Sequence, residues 1–128
     1  MTTMTRELYD VAVAIASDWR GGYLPKPYRL TGQPPHVLPK RSKAVYIAVD
    51  GAGVIRYVGS VSRTRSTAVR ERTSEHVRHW FKERNWSTMY VVPLDPETPS
   101  AVVKALEGRI GRRLKPTDNR RLPAPIFM

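Results

Sequence analysis

The chain has 128 residues, and it contains no cysteine and no long apolar run. The lack of cysteine excludes disulfide bonds, thiol catalysis and zinc sites built on cysteine, so oxygen or imidazole must hold any metal. The sequence also lacks a run of about 18 apolar residues and a basic-then-apolar N-terminus, so it predicts neither a membrane span nor a signal peptide. We therefore expect a cytoplasmic protein with one modest core and no membrane partner.

Acidic residues are scarce, with 11 Asp and Glu against 22 Lys and Arg, which gives a net charge of +11. A small domain this basic repels itself unless a polyanion is its partner, so the charge predicts binding to nucleic acid. Arginine outnumbers lysine, which suits bidentate contacts with phosphate. The alternative is that a GC-rich genome favours arginine codons and the charge serves only solubility.

The first 43 residues divide into two segments. Apolar residues recur at helical spacing over residues 5–18, which predicts a first helix. Five prolines follow between positions 21 and 43, so this part is predicted to run extended over the surface. We therefore divide the chain into an N-terminal helix with a proline-rich basic arm, residues 1–43, and a domain over residues 44–128.

Two runs rich in Val, Ile and Tyr, residues 44–49 and 54–58, flank an Asp-Gly turn, which predicts a β-hairpin. A turn centred between Gly51 and Ala52 would place Tyr46 directly opposite Tyr57 on one face of the sheet. Such a pair is either an ordinary aromatic cross-strand contact or part of a functional site. The hairpin alone leaves both interpretations open.

A second helix is predicted over residues 66–84, and residues 86–94 are predicted to form a third strand. Arg72 and His76 are four residues apart, so they would project from the same side of that helix. Taken alone this pair is weak evidence, because charged helix faces are common.

The last helix is predicted to begin with Thr98 as N-cap and Pro99 at its first position. Glu107 lies among the positions of its apolar stripe, where a carboxylate needs a basic partner or a metal ion because burying it bare costs too much. The candidates for the basic partner are the arginines in this part of the helix, Arg109, Arg112 and Arg113. The stripe itself consists of Val103, Leu106, Ile110 and Leu114.

Taken in order, these motifs resemble the GIY-YIG nuclease superfamily. The motifs are a Val-Tyr-Ile strand, a strand ending Tyr-Val-Gly-Ser, an Arg-x-x-x-His helix, a Leu-Glu-x-x-Ile helix and a following Pro-x-x-Asn, within residues 44 to about 123. The resemblance implies a small α/β (α+β) domain whose three-stranded antiparallel sheet is flanked by helices. It also implies a metal-dependent endonuclease.

The resemblance assigns roles to the residues that match the family's motifs. Tyr46 would act as general base, Tyr57 would orient the water or phosphate, and Arg72 would stabilise the phosphate. Glu107 would hold one Mg²⁺ or Mn²⁺ that keeps most of its waters. The first motif departs from the family's pattern, because it reads Ala-Val-Tyr in place of Gly-Ile-Tyr.

Two further matches are His76, which would assist proton transfer, and Asn119, which would support the site. Arg70 competes with Arg72 as the catalytic arginine, because the loop that precedes them is long. The residues expected to contact nucleic acid are Lys40, Arg41, Lys43, Arg63, Arg65, Arg70, Arg112, Arg113 and Arg120.

The expected function is therefore hydrolysis of phosphodiester bonds in DNA. Two alternatives remain open: a catalytically inactive nucleic-acid-binding module, and a nuclease that acts on RNA. Cleavage at a specific sequence would need more recognition surface than this core offers. The N-terminal segment or the second subunit of a homodimer would have to supply it.

Overall fold

A computed structural model of the chain describes residues 1–30, 41–63, 69 and 86–118. Within these ranges an antiparallel four-stranded sheet is combined with two α-helices, which confirms the α+β class. The elements are α1 (Arg6–Ile15), a 3₁₀ helix (Ser17–Trp19), β1 (Tyr28–Arg29), β2 (Lys43–Asp50), β3 (Ile55–Ser62), β4 (Trp86–Pro93) and α2 (Ser100–Leu114). None of the helices in these ranges is long and apolar enough to cross a membrane.

The sheet has the strand order β1-β4-β2-β3, so the expectation of three strands is wrong. The additional strand is β1, in which Tyr28 pairs with Met89 and Arg29 pairs with Thr88. It lies in the proline-rich segment that we expected to run over the surface. Pro27 directly precedes it, and a proline is tolerated at a sheet edge because no further strand needs its N–H.

Helix α1 is fixed to the centre of the sheet by Tyr9. The helix begins after Thr5, whose hydroxyl accepts a hydrogen bond from the Leu8 N–H at 3.1 Å. The buried Tyr9 hydroxyl donates to the Val91 carbonyl at 2.7 Å and accepts from the Leu24 N–H at 3.0 Å. Burial raises the pKa of the Tyr9 phenol, which therefore stays a neutral donor.

The sheet buries apolar side chains on both faces, because successive residues of a strand point to opposite sides. One face packs against α1 and α2 with a cluster that includes Tyr9, Val45, Ile47, Val58, Leu106 and Ile110. The other face carries a cluster that includes Ala44, Tyr46, Val61, Val69, Trp86 and Met89. The predicted helix over residues 66–84 lies outside the described residues except Val69, which is helical and fully buried.

The hairpin between β2 and β3 is confirmed, but its predicted register is wrong. Tyr46 pairs with Gly59 rather than with Tyr57, and Tyr57 pairs with Ala48. A bulge next to Ala48 shifts the register, since Val49 pairs with Ile55 and one residue of β3 is left over.

The turn explains the rest of the shift. Asp50 and Val54 close a three-residue loop, since the Asp50 N–H donates to the Val54 carbonyl at 3.0 Å. The Asp50 carboxylate accepts from the N–H groups of Ala52 and Val54, each at 2.9 Å. Gly53 has a φ of 84°, in the left-handed region that glycine adopts readily. The predicted pairing requires a two-residue turn, so the longer loop and the bulge each move the partner of Tyr46 by one residue, from Tyr57 to Gly59.

Helix α2 confirms the predicted apolar stripe, because all four of its residues are fully buried. Its start differs from the prediction by one position. Pro99 is the N-cap, with an extended ψ of 146°, and Ser100 is the first helical residue. Thr98 is not the cap, because its hydroxyl donates instead to the Asp95 carbonyl at 2.6 Å.

Candidate functional site

The structure brings Tyr46 and Tyr57 together as diagonal neighbours on one face of the sheet. Their ring centroids lie 6.2 Å apart with an interplanar angle of 28°. Tyr57 also stacks on Trp86, with centroids 5.1 Å apart and planes 29° apart. Tyr46 is 2% exposed and Trp86 is 3% exposed, and the half-buried Tyr57 packs between them against the core on this face.

Gly59 makes room for the tyrosine pair. A Cβ atom at this position would lie 2.5 Å from Cζ and from Oη of Tyr46, and 2.7 Å from Cε1 of Tyr57. Such distances are far below van der Waals contact, so the Tyr46 ring lies directly over the backbone of Gly59, its partner in β3. The glycine of the Tyr-Val-Gly-Ser motif is therefore required by packing.

Asp118 ties the segment after α2 to the aromatic row. Its carboxylate accepts from Trp86 Nε1 at 2.8 Å and forms a two-point contact with Arg56, from Nη2 at 2.8 Å and from Nε at 3.3 Å. The Asp118 N–H also donates to the Arg56 carbonyl at 2.6 Å. Sequence reasoning could not find these contacts, because Arg56 is 62 residues away from Asp118 and no local spacing links the two.

Glu107 has the partners that its burial requires. It is 7% exposed, and its Oε1 accepts a short hydrogen bond of 2.6 Å from the Ser60 hydroxyl. Lys104 Nζ lies 3.5 Å from the same oxygen. The basic partner that the structure shows is therefore this lysine, one turn earlier in α2, whereas the sequence suggested an arginine. Ser60 was missed, although it is the last residue of the Tyr-Val-Gly-Ser motif.

The tyrosines and Glu107 lie on opposite faces of the sheet. Tyr57 belongs to the cluster that contains Trp86, whereas Val58 belongs to the cluster that contains α1 and α2. Gly59 and Ser60 continue this alternation, so Ser60 meets α2 while Gly59 faces the tyrosine rings. Strand β3 is an edge strand of the described sheet, so both faces of the sheet border its outer edge.

A cleft of about 300 Å³ lies on the α2 side of this edge. It is lined by Ser60, Val61, Ser62, Arg63, Ser100 and Lys104. The hydroxyls of Ser62 and Ser100 are 2.8 Å apart and join β3 to the first residue of α2. Two residues of the cleft wall, Ser60 and Lys104, contact Glu107, so the buried carboxylate lies directly behind the cleft.

The residues expected to bind nucleic acid are only partly within the described ranges. Arg63 lines the cleft, and Lys43 Nζ donates to the Thr98 carbonyl at 2.7 Å, close to the start of α2. Arg112 and Arg113 are exposed in the last turn of α2. Arg41 is the first residue of the described range 41–63 and directly precedes Ser42. The expected site residues outside the described ranges are Lys40, Arg65, Arg70, Arg72, His76, Asn119 and Arg120.

Glu107 is an oxygen ligand of the kind that Mg²⁺ or Mn²⁺ accepts, but it is 7% exposed and lies behind the residues that line the cleft. Among the described residues no group of three metal-ligating side chains occurs, but a hydrated Mg²⁺ or Mn²⁺ does not need one. The carboxylate is an oxygen ligand, and the cleft next to it has room for water. Lys104 is 62% exposed, so its ammonium can turn away from Glu107 into solvent.

Comparison of the chain with models of known families, with curated proteins and with solved structures found no match in any of the three. The resemblance to GIY-YIG nucleases therefore rests on the order of the sequence motifs. The physical arguments for function come from Glu107, the tyrosine pair and the charge.

Proposed function

We propose that this protein is a divalent-metal-dependent endonuclease that hydrolyses phosphodiester bonds in DNA. The observation that carries this proposal is the buried Glu107 carboxylate, which is held by Ser60 directly behind a cleft with cationic side chains. In a chain with a net charge of +11, a nucleic-acid substrate is the partner that this arrangement favours.

Glu107 is proposed to hold the metal ion, and Ser60 is proposed to position the carboxylate. The Ser60 hydrogen bond fixes the direction of the carboxylate, which is the usual role of a residue that contacts a metal ligand. A divalent cation bound there would stabilise negative charge on the phosphate oxygens. Lys104 would exchange its contact with Glu107 for a contact with the substrate.

The tyrosine pair is proposed to act on the attacking water. Tyr46 would remove a proton, and Tyr57, stacked between Tyr46 and Trp86, would orient the water or the phosphate. Glu107 lies on the other face of the sheet from the tyrosines. The reacting phosphate would therefore have to lie at the edge of β3, where groups from both faces could contact it. Arg72 would offset the charge that develops on it. His76 and Asn119 keep the supporting roles that the resemblance implies.

A catalytically inactive nucleic-acid-binding module is the second candidate. It is favoured by the placement of Glu107 and the tyrosines on opposite faces and by the lysine that contacts the proposed metal ligand. Such a module would share the charge and the cleft but would need neither Glu107 nor the two phenols.

An incubation with several substrates separates these candidates. The pure protein is mixed with plasmid DNA, branched DNA and RNA, each with Mg²⁺ and with excess EDTA. We expect cleavage of DNA that depends on Mg²⁺. Binding without cleavage would favour the inactive module, and cleavage of RNA alone would assign the protein to ribonucleases.

Replacement of Tyr46 by phenylalanine tests the phenol directly. The Tyr46→Phe variant keeps the ring over Gly59 but deletes the oxygen, so we expect the cleavage rate to fall by about 10² to 10⁴, as is typical of losing a general base. Affinity for DNA in EDTA should not change. The matched control is Tyr90→Phe, on the side of the sheet that faces α1. Equal rates for the two variants would leave Tyr46 a packing residue.

A further inference from the structure

We propose that the cleft between β3 and the start of α2 is an anchoring site for a backbone phosphate of a nucleic-acid strand. We call it the phosphate cleft and define it by Ser62, Arg63, Ser100 and Lys104. This inference rests on the nucleic-acid partner of the proposed function but not on cleavage. It adds the place where the strand is held next to the reacting phosphate.

The two serine hydroxyls form a donor site for an acceptor-only ligand. Ser62 Oγ and Ser100 Oγ are 2.8 Å apart, so one hydroxyl donates its hydrogen to the other. A hydroxyl has one hydrogen and two lone pairs, so the accepting hydroxyl still has its own hydrogen to donate. Whichever of the two donates, one O–H remains for a ligand oxygen. A phosphate oxygen is such an acceptor.

The charges around the cleft favour an anion. Arg63 and Lys104 both line it, and Lys43 is held nearby through its bond to the Thr98 carbonyl. Glu107 behind the cleft offsets part of this charge. Lys104 Nζ is 3.5 Å from Glu107 Oε1, beyond ordinary hydrogen-bond length, so the ammonium keeps donors for a ligand.

The start of α2 adds to this positive potential. The helix has no acidic residue in its first turn, and its N-cap, Pro99, provides no side-chain hydrogen bond. The partial positive charge at the helix N-terminus is therefore not neutralised by a carboxylate in that turn. Because Ser100 is both the first residue of α2 and part of the cleft wall, this charge acts on whatever the cleft binds.

The cleft is large enough to hold a phosphodiester group. A volume of about 300 Å³ is at the lower end of the range for small-molecule sites, so a phosphate with part of its sugar would fit. Phosphodiesters of DNA and RNA share this chemistry. The cleft is therefore expected to bind the backbone without reading the base sequence.

The test is the salt dependence of binding to a blunt duplex DNA in EDTA, where no cleavage occurs. Lys104→Gln removes one positive charge from an exposed position and leaves Glu107 its hydrogen bond from Ser60, so the fold should be kept. The matched control is Lys26→Gln, an exposed lysine just before β1 at the opposite edge of the sheet. If Lys104 neutralises one phosphate, the slope of log affinity against log salt should become shallower by about 0.9 in Lys104→Gln. The slope of Lys26→Gln should match that of the wild type.

A second variant tests the hydroxyls. The double substitution Ser62→Ala and Ser100→Ala should weaken binding at every salt concentration while leaving the slope unchanged, because it removes hydrogen bonds and no charge. The same measurements on a duplex RNA of equal length separate a phosphate contact from a contact specific to DNA. Equal losses on both duplexes are expected.

An unchanged slope in Lys104→Gln, or an equal change in Lys26→Gln, would overturn the phosphate cleft. Failure of the nuclease proposal would give a different experimental result. A protein that shows the expected slope change but cleaves nothing in Mg²⁺ retains the cleft as a binding site and loses the enzymatic function. A wild-type protein that binds neither duplex contradicts both proposals.

Discussion

At residue 59 the lack of a side chain decides where two tyrosine rings can lie. The Tyr46 ring covers the backbone of Gly59, and the edge of the Tyr57 ring lies beside it. In a different register Tyr46 would face another residue and the glycine would have no such role. The contact is therefore a specific link between the second motif of the sequence and the geometry of the proposed site.

We expect Gly59→Ala to destabilise the protein by about 1 to 3 kcal/mol, because the new methyl group must displace a buried ring. The measurement is urea unfolding followed by tryptophan fluorescence, since Trp86 belongs to the same aromatic row. Gly51→Ala is the control: it lies in the hairpin turn, and a Cβ there meets nothing within 4 Å. Its effect should stay within about 0.5 kcal/mol. Equal stabilities for the two variants would mean that the ring moves aside freely.

At the scale of the elements, local periodicity predicts well and long-range pairing does not. The stripe of α2 was predictable because four apolar residues repeat at helical spacing over a long segment. The hairpin was predictable from Asp-Gly, but its register depended on a loop length and a bulge that the residue pattern leaves open. The need of Glu107 for a partner was also predictable. The partner, Ser60, is 47 residues away on another element, and no spacing rule connects them.

Asp118 provides the prediction at this scale, because it joins the end of the α2 segment to β3 and β4. Its side chain is 6% exposed and accepts bonds from Arg56 and Trp86. We expect Asp118→Ala to cost about 2 kcal/mol, since hydrogen bonds to a charged group are lost and the indole N–H loses its partner. Thermal and urea unfolding measure this cost.

Asp10→Ala serves as the control for Asp118. Asp10 forms an ion pair with Arg6 on α1 and accepts a hydrogen bond from the Tyr23 hydroxyl at 2.6 Å, and the side chains of Asp10 and Arg6 are more than half exposed. Solvent screens such pairs, so the change in unfolding free energy should be smaller. A loss in Asp118→Ala that stays within about 0.5 kcal/mol, as for an ordinary surface substitution, would show that the segment after α2 is not held by its carboxylate.

At the scale of the whole molecule, the N-terminal residues share the core of the sheet. Tyr9, Ala12, Val13 and Ala16 of the α1 segment are buried in the same cluster as residues of β2, β3 and α2. The backbone of the first residues also pairs with the hairpin, since the Thr2 carbonyl accepts from Ile55 and the Met4 N–H donates to Gly53. This packing was not predictable from the proline-rich composition that follows α1.

We therefore expect a chain that starts at residue 41 to be unfolded, because it lacks α1 and β1 and exposes one face of the sheet. Circular dichroism and the dispersion of amide proton signals in NMR provide the measurement, with the full-length chain as reference. A truncated chain that unfolds cooperatively and still binds DNA would show instead that residues 1–40 serve binding alone.

The most direct test of the nuclease proposal is the rate of plasmid cleavage in Mg²⁺ by the wild type, Glu107→Gln and Glu97→Gln. The amide of Glu107→Gln can still accept the Ser60 hydrogen bond, and Glu97 is an exposed carboxylate in the loop before α2. Loss of several kcal/mol of charge stabilisation should slow Glu107→Gln by about 10²-fold or more. Glu97→Gln should cleave at the wild-type rate, and Glu107→Gln should bind DNA in EDTA at least as tightly as the wild type, because it loses a negative charge behind the phosphate cleft. Wild-type cleavage by Glu107→Gln, or by the unmodified protein in excess EDTA, would contradict the metal site on which the proposed function depends.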